Sequence, residues 1–346
     1  MGVRTLLIGC GLIARAKHLP AIRALGKRIA LTALCDANLE AARTLARPFG
    51  GARTFGDATT ALREVRPELV ILCTPPQTHR ALGVQALETG ADLFLEKPMA
   101  LTSPDCEAIL AAARRSGKRI CVAFSQTFTP AVRQAEAAVR AGAIGELTGL
   151  QIFLSTPADY MTNRKDHWVH RLPGGVFSET GPHILHLALR FLGEIRETAV
   201  QTAKRQDHPW SLADDFRITL TCARGLASAN LIYTTSHWAA RLELLGTEGR
   251  LLVDLETGVC LKLTRPDLRP ATVWKSGTAE GIGQILGLLR SAGRTLFGKR
   301  ENSHGLILKG FLDAIEQGTP LPVPPEEGLA VTRAMEQIGR QLRRAG

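Results

Sequence analysis

Short apolar runs alternate with stretches of helical period through the first 123 residues of this chain. The runs are Thr5 to Gly9, Ile29 to Cys35, Leu69 to Cys73, Asp92 to Leu95 and Ile120 to Ala123. Between them lie the helical patterns Ile13 to Leu25, Asn38 to Leu45, Thr78 to Glu88 and Ser103 to Ser116. Runs so short and so apolar read as strands buried on both faces, and a strand–helix–strand succession joins parallel neighbours through crossovers. Few architectures accept that order. The chain is therefore expected to begin with a doubly wound α/β sheet.

The first strand runs into Gly9-Cys10-Gly11-Leu12-Ile13-Ala14, a Gly-x-Gly-x-x-Ala turn with the strand before it and the helix after it that a Rossmann dinucleotide site requires. Gly9 permits the tight turn, Gly11 lets a pyrophosphate approach the backbone, and Ala14 lets helix and strand pack closely. Backbone N–H groups at Leu12 and Ile13 open the helix and, with its dipole, hold phosphate. Asp36 ends the second strand, where a carboxylate can accept hydrogen bonds from both ribose hydroxyls and repel a 2′-phosphate. That favours NAD over NADP, although Arg43 and Arg47 lie nearby; the plainer role for Asp36 is a helix N-cap.

In open α/β sheets the ligand lies outside the carboxyl ends of the strands. Two loops sit there. Thr74-Pro75-Pro76-Gln77-Thr78-His79 is stiff and placed to flank a nicotinamide, with His79 expected to face solvent on the first helical turn. Glu96-Lys97-Pro98 follows the Asp92 to Leu95 strand, and a Lys there is a candidate catalytic group.

The second half opens with a helix, Pro130 to Ala141, and a strand, Thr148 to Leu154. A polar and aromatic loop follows, holding Tyr160, Arg164, His167, Trp168, His170 and Arg171. Next comes Gly174-Gly175-Val176-Phe177-Ser178-Glu179-Thr180-Gly181-Pro182-His183, leading into a helix that runs to about Phe191. Glu179 and His183 are four apart and share a face, with His186 near it. A metal cluster of these His residues with Glu179 is the competing reading, but no His-Glu-x-x-His pattern appears and no metal is expected. Hairpins Asp215 to Cys222 with Leu226 to Tyr233, and Arg241 to Leu245 with Arg250 to Leu255, predict a large, open, mostly antiparallel sheet in a second, α+β domain. The division expected is 1–123 for cofactor binding and 124–346 for substrate binding and oligomerisation.

Together, Gly-Cys-Gly-Leu-Ile-Ala, His18-Leu19-Pro20-Ala21, Thr74-Pro75-Pro76 with His79, and Glu96-Lys97-Pro98 resemble the Gfo/Idh/MocA dehydrogenases. Val122 to Ala131, Ala143-Ile144-Gly145-Glu146-Leu147 and the Gly174 to His186 stretch extend the resemblance over nearly the whole chain. It implies that Lys97 and His183 are catalytic, that Glu96 lies against the nicotinamide ribose, and that the Lys97–Pro98 bond is cis. It also implies homo-oligomers, dimers or tetramers, built sheet to sheet. Glu179 stands where the family usually has Asp, and His186 where many members have a second Asp. The reading is an NAD-dependent oxidoreductase acting on a secondary hydroxyl of a sugar, nucleotide-sugar or cyclitol. Lys97, Arg164, Trp168, Arg171, Glu179 and His183 are its substrate contacts. An NAD-assisted glycosidase and a non-catalytic NAD-sensing regulator are the alternatives.

Composition removes other classes. Of 346 residues, 45% are hydrophobic and 22% charged, as in soluble globular proteins. The net charge of +11 is spread along the chain, and 5% aromatic content with no recognition motif argues against nucleic acid. The seven Cys residues include no Cys-x-x-Cys pair and sit mostly in apolar runs, as in a reducing cytosol. No signal peptide is visible ahead of the first strand, and no apolar segment spans a bilayer. Glu280 to Arg300 forms a basic amphipathic pattern, expected to pack on its own sheet or on a neighbouring subunit rather than on a membrane surface.

Overall fold

A computed structural model describes residues 2–296 and 302–345. The expected alternation is present. β1 (Val3–Ile8) enters a π-helical turn, Ala14–His18, that continues into α1 (Leu19–Leu25). Then come β2 (Ile29–Cys35), α2 (Leu39–Ala46), β3 (Arg53–Phe55), α3 (Ala58–Val65) and β4 (Leu69–Leu72). α4 (His79–Glu88), β5 (Asp92–Leu95), α5 (Ser103–Ser116) and β6 (Ile120–Val122) complete the series. All pairs in this sheet are parallel, in the order β3-β2-β1-β4-β5-β6. The direction of winding therefore reverses between β1 and β4, and the crevice at their carboxyl ends is where a dinucleotide fits. β4 and β5 are buried at every position, as strands covered on both faces must be. β3 and α3 are absent from the sequence reading: a three-residue edge strand with Arg53 exposed has no apolar run to announce it.

A second unit holds α6 (Pro130–Arg140), β7 (Leu147–Pro157), α7 (Phe177–Leu192), β8 (Ile195–Ala203) and β9 (Asp215–Cys222). β10 (Gly225–Thr235), β11 (Ala239–Gly246), β12 (Gly249–Asp254), β13 (Val259–Leu263) and α8 (Pro270–Leu296) follow. Its seven strands run β13-β12-β11-β7-β10-β9-β8, antiparallel except for β10 against β7. One face is buried under α7, through Leu150, Ile152, Ala229, Leu231 and Phe216. The alternate residues point the other way and leave Phe153 and Leu226 exposed.

The two compact units are not divided by a single cut. Met1–Ser125 is joined by Asn302–Arg333, and Gln126–Glu301 by Ala334–Gly346. The 124–346 segment read from the sequence as one domain thus lends α9 (Ser303–Gln317) and the first half of α10 (Pro325–Ala345) to the nucleotide-binding unit. α9 buries Ile307, Leu308, Phe311 and Leu312, packs on α1, and places Phe311 against Phe94 of β5 at 5.9 Å.

Candidate active site

The glycine turn is shaped by close approach. Gly9 has φ +98°, and a Cβ there would lie 2.6 Å from the backbone carbonyl carbon of Cys73 at the end of β4. Only glycine fits both demands. Gly11 is exposed, a Cβ on it would meet nothing within 4 Å, and the neighbouring Leu12 is exposed too. Backbone at the open end of β1 is therefore accessible at the first turn of a helix, whose N–H groups have no partners within the helix. These residues fit a pyrophosphate. Asp36 is half-buried: Oδ2 accepts the Cys10 N–H at 2.7 Å and Oδ1 the Asn38 N–H at 2.8 Å. It is not the cap of α2, a role taken by Asn38, whose side chain accepts from Glu40 and Ala41. Asp36 ties the glycine turn to the end of β2.

His79 departs from expectation. It is fully buried, not solvent-facing. Nδ1 lies 3.0 Å from the Pro98 carbonyl and Nε2 2.9 Å from the Thr74 carbonyl. Burial lowers its pKa, against the pull of those carbonyls. Its polar atoms staple the Thr74 loop to the Lys97–Pro98 turn. Within that loop the Thr78 hydroxyl donates to Thr74 Oγ1 at 2.7 Å; Pro76 is buried and Pro75 exposed.

The Lys97–Pro98 peptide is cis. Lys97 is half-buried, but Glu96 beside it is buried and held from three sides. Its Oε1 sits 2.6 Å from His18 Nε2 and 3.4 Å from His304 Nε2, and its Oε2 accepts the Lys97 N–H at 3.3 Å. Burial alone would raise the Glu96 carboxyl; the hydrogen bonds from His18 and His304 outweigh it and hold the group well below the usual carboxylate range. Burial pushes His304 down, with Glu96 opposing. The three ligand atoms lie within 4.8 Å of one another, the one such grouping among the described residues. However, the 2.6 Å contact is shorter than the roughly 3 Å or more that separates two ligands of one ion at ordinary bond lengths, so a hydrogen bond accounts for it. The resemblance implies a nicotinamide ribose beside Glu96; its two oxygens here meet His18, His304 and the Lys97 N–H. His18 and His304 were not singled out as site residues. His304 lies beyond the main segment of the second unit in sequence, residues 126–301, and nothing local marks it.

In the second unit, α7 opens after the Gly174-Gly175 turn, with the Gly174 N–H donating to Ser178 Oγ at 3.0 Å. Glu179 and His183 are half-buried one turn apart, while His186 is fully buried, below the face the other two share. Glu179 acts electrostatically on three neighbours. After burial, it is the largest influence raising the Tyr160 hydroxyl, it opposes the lowering of His167, and it helps keep Tyr233 protonated. Tyr233 is buried on β10 and hydrogen-bonds Thr180. Arg164 reaches the same group, acting on Tyr160 and His167. His167 stacks on exposed Trp168 at 5.8 Å, and Tyr160 packs edge-on against exposed Trp238 at 4.7 Å. Arg171 is exposed. Tyr233 and Trp238 escaped the sequence reading; Tyr233 sits in strand alternation as any core aromatic would.

Comparison with known proteins fits this geometry. Residues 3–124 match the Gfo/Idh/MocA oxidoreductase family's NAD-binding Rossmann fold, and residues 132–252 match the family's C-terminal domain. The chain belongs to the Gfo/Idh/MocA oxidoreductase family. It is 31% identical over 252 residues to D-apiose dehydrogenase of Paraburkholderia graminis, covering 71% of this chain and 66% of that enzyme. To inositol 2-dehydrogenase of Rhizobium meliloti it is 24% identical, over 99% and 97% of the two chains. The matches to three dehydrogenases at 28–31% identity span about half to two thirds of those enzymes' lengths. Its fold superposes with a TM-score of 0.81 on the WlbA dehydrogenase of Bordetella pertussis solved with NADH and UDP-GlcNAcA, at 19% identity over 100% and 96% of the chains. In this Gfo/Idh/MocA chain the nucleotide unit is thus an NAD-binding Rossmann domain.

Proposed function

We propose that the protein is an NAD-dependent dehydrogenase that oxidises a secondary hydroxyl of a sugar, nucleotide-sugar or cyclitol, or reduces the matching ketone. The observation that carries this is Lys97, held at the carboxyl end of β5 by the buried Glu96 cluster in the same unit as the Gly9 turn. A purely sensing protein needs no ammonium there. NAD, when bound, supplies the hydride acceptor. Gly9, Gly11, Leu12, Ile13 and Asp36 would hold it, with Thr74, Pro75 and Pro76 beside the nicotinamide. In this reading His183 is the base that takes the hydroxyl proton, and Lys97 is the donor that stabilises the charge developing on oxygen. Glu179 orients substrate or tunes His183. The exposed rings of Trp168, Tyr160 and Trp238 beside Arg164 support a sugar ligand, whose C–H faces stack on aromatics, carrying an anionic group for Arg164.

The test is NAD reduction by the purified protein across sugars, cyclitols and nucleotide-sugars, followed at the nicotinamide absorbance. Net NADH with at least one of them is expected. Cleavage of a chromogenic glycoside without net NADH would replace the reading with NAD-assisted hydrolysis. A cytosolic homo-oligomer is the expected setting, supported by six free thiols buried as small apolar groups and by the sheet face that leaves Phe153 and Leu226 outward.

A further inference from the structure

Two surfaces of the second unit expose large apolar side chains. One is α8, which meets β13 through its glycines: a Cβ at Gly287 would lie 2.8 Å from Val259, and one at Gly283 would lie 3.2 Å from Leu261. Trp274, Ile285 and Leu289 lie on the opposite side and are exposed. The sequence expectation that this segment packs its apolar face on its own sheet therefore fails: β13 receives the small residues and the large ones face outward. Lys299 and Arg300, counted in the basic half of that pattern, lie outside the described residues. The other surface is a row of four rings. Trp238, Tyr160, His167 and Trp168 follow one another with centroids 4.7, 6.4 and 5.8 Å apart. Trp238 is 52% exposed and Tyr160 and Trp168 are 42% exposed each, so three of the four still meet solvent. Exposed as they are, they are held from beneath. Ala158, Met161 and Val169, around Tyr160 and Trp168 in sequence, are buried. The Thr162 hydroxyl donates to the Tyr233 carbonyl at 2.7 Å, and the Trp210 indole N–H donates to the Thr162 carbonyl at 3.1 Å. A wall built in advance binds without the cost of ordering its rings.

We propose that the substrate is a glycoside of two rings: the reacting sugar lies on the middle of this row, and a second ring, carried on its anomeric position, stacks on Trp168 or Trp238. Which ring reacts rests on the dehydrogenase reading, whereas the second ring rests on the row alone. Glu179, one turn from His183 on α7, acts electrostatically on the two middle members, Tyr160 and His167. A sugar oxidised beside that pair is no larger than one indole and would leave an outer tryptophan in water. Polar groups select a sugar over a lipid or an apolar protein patch. The Val169 N–H donates to His167 Nδ1 at 3.4 Å, and burial together with Arg164 lowers the pKa of the ring, which leaves its one proton on Nε2. Burial, with Glu179 adding to it, keeps the Tyr160 hydroxyl protonated. The row thus combines ring faces with N–H and O–H donors, as a sugar combines C–H faces with hydroxyls. The second ring can be joined through oxygen, as in a disaccharide, or through phosphate, as in a nucleoside diphosphate sugar, the latter drawing on exposed Arg164.

The experiment compares matched compounds on the NAD-loaded full chain: glucose, galactose and N-acetylglucosamine; the disaccharides cellobiose, lactose and chitobiose; and the three uridine diphosphate sugars. NADH formation gives kcat/KM and calorimetry gives Kd, for wild type, Trp168→Ala, Trp238→Ala and, as a control on α8, Trp274→Ala. All three tryptophans are exposed, so truncation opens no buried cavity. At least one two-ring compound is expected to exceed its free sugar about tenfold or more in kcat/KM and in affinity. Trp168→Ala or Trp238→Ala is expected to remove most of that advantage while the free sugar stays within about twofold, and Trp274→Ala to change neither. The disaccharide and uridine diphosphate arms tell which linkage is taken. Two-ring compounds no better than their free sugars overturn the proposal, as does an advantage that survives both substitutions. Binding of a two-ring compound that depends on Trp168 or Trp238 without any NADH keeps the second-ring site and removes the dehydrogenase reading instead.

Discussion

Glu96 and Lys97 are adjacent in sequence and opposite in environment, one sealed beneath the strand end and the other at its surface. Replacing Glu96 with Gln removes a charged acceptor from His18 and His304 and should cost about 2 kcal/mol. A drop of several degrees in the thermal transition of the nucleotide-binding unit measures it. Lys97→Met and His183→Gln should each lower kcat by about a hundredfold or more with NAD affinity nearly unchanged, read by steady-state kinetics and cofactor titration. Near-normal turnover in both removes the catalytic assignment. Asp36→Ala should narrow the preference for NAD over NADP and weaken both, since Asp36 also anchors Cys10; competition binding with the two cofactors separates these effects. At this scale, what is legible in the sequence is local, such as Gly9, which the turn requires, and the position of Lys97 just after a buried strand. His79 was misjudged because a helix-start His looks solvated until the carbonyls of Thr74 and Pro98 are found around it.

At the scale of elements, the β1 turn is the most exacting. Gly9→Ala would place a methyl against Cys73 in a backbone conformation that alanine adopts at a cost of about 1–3 kcal/mol. NAD binding should be lost, or nearly so, while far-UV circular dichroism stays close to wild type. Buried strands β4 and β5 were readable because their whole length is apolar. β3, β8 and β13 were not, being short, or mostly exposed, or leaning on a helix through one face only. α8 was recognised as amphipathic, but period alone gives the existence of an apolar face and not its direction. Glycines at 283 and 287 were the available sign that the contact face was the other one.

At the scale of the molecule, stability should fall on the acid side. Glu96 has a lowered folded pKa, so its contribution is present above the unfolded value of about 4.3 and lost as pH falls through the folded value. His304 is also lowered, so its contribution is present above about 6.5 and declines as the unfolded imidazole takes up a proton. The midpoint of denaturant unfolding of the nucleotide-binding unit should therefore rise as pH is raised toward about 6.5, and His304→Asn should flatten that rise. The alternation of strands and helices revealed the first sheet. It could not reveal that α9 belongs to it, because an amphipathic helix near the end of a chain has no label for the surface it covers. A fragment ending at Ser125 should accordingly be poorly soluble, and appending residues 302–333 through a flexible linker should restore a cooperative melt.

The return of the chain to its first unit also sets an order in time. When a ribosome has finished β6, the parallel sheet is complete in strands, yet the helix that covers Phe94 and brings His304 to Glu96 is encoded beyond the main segment of the second unit, residues 126–301. The nascent first unit must wait with that apolar surface uncovered. Its maturation is therefore governed by the pace of synthesis and by whatever chaperone shields it meanwhile, and a stall late in the message would strand a nearly finished nucleotide-binding domain.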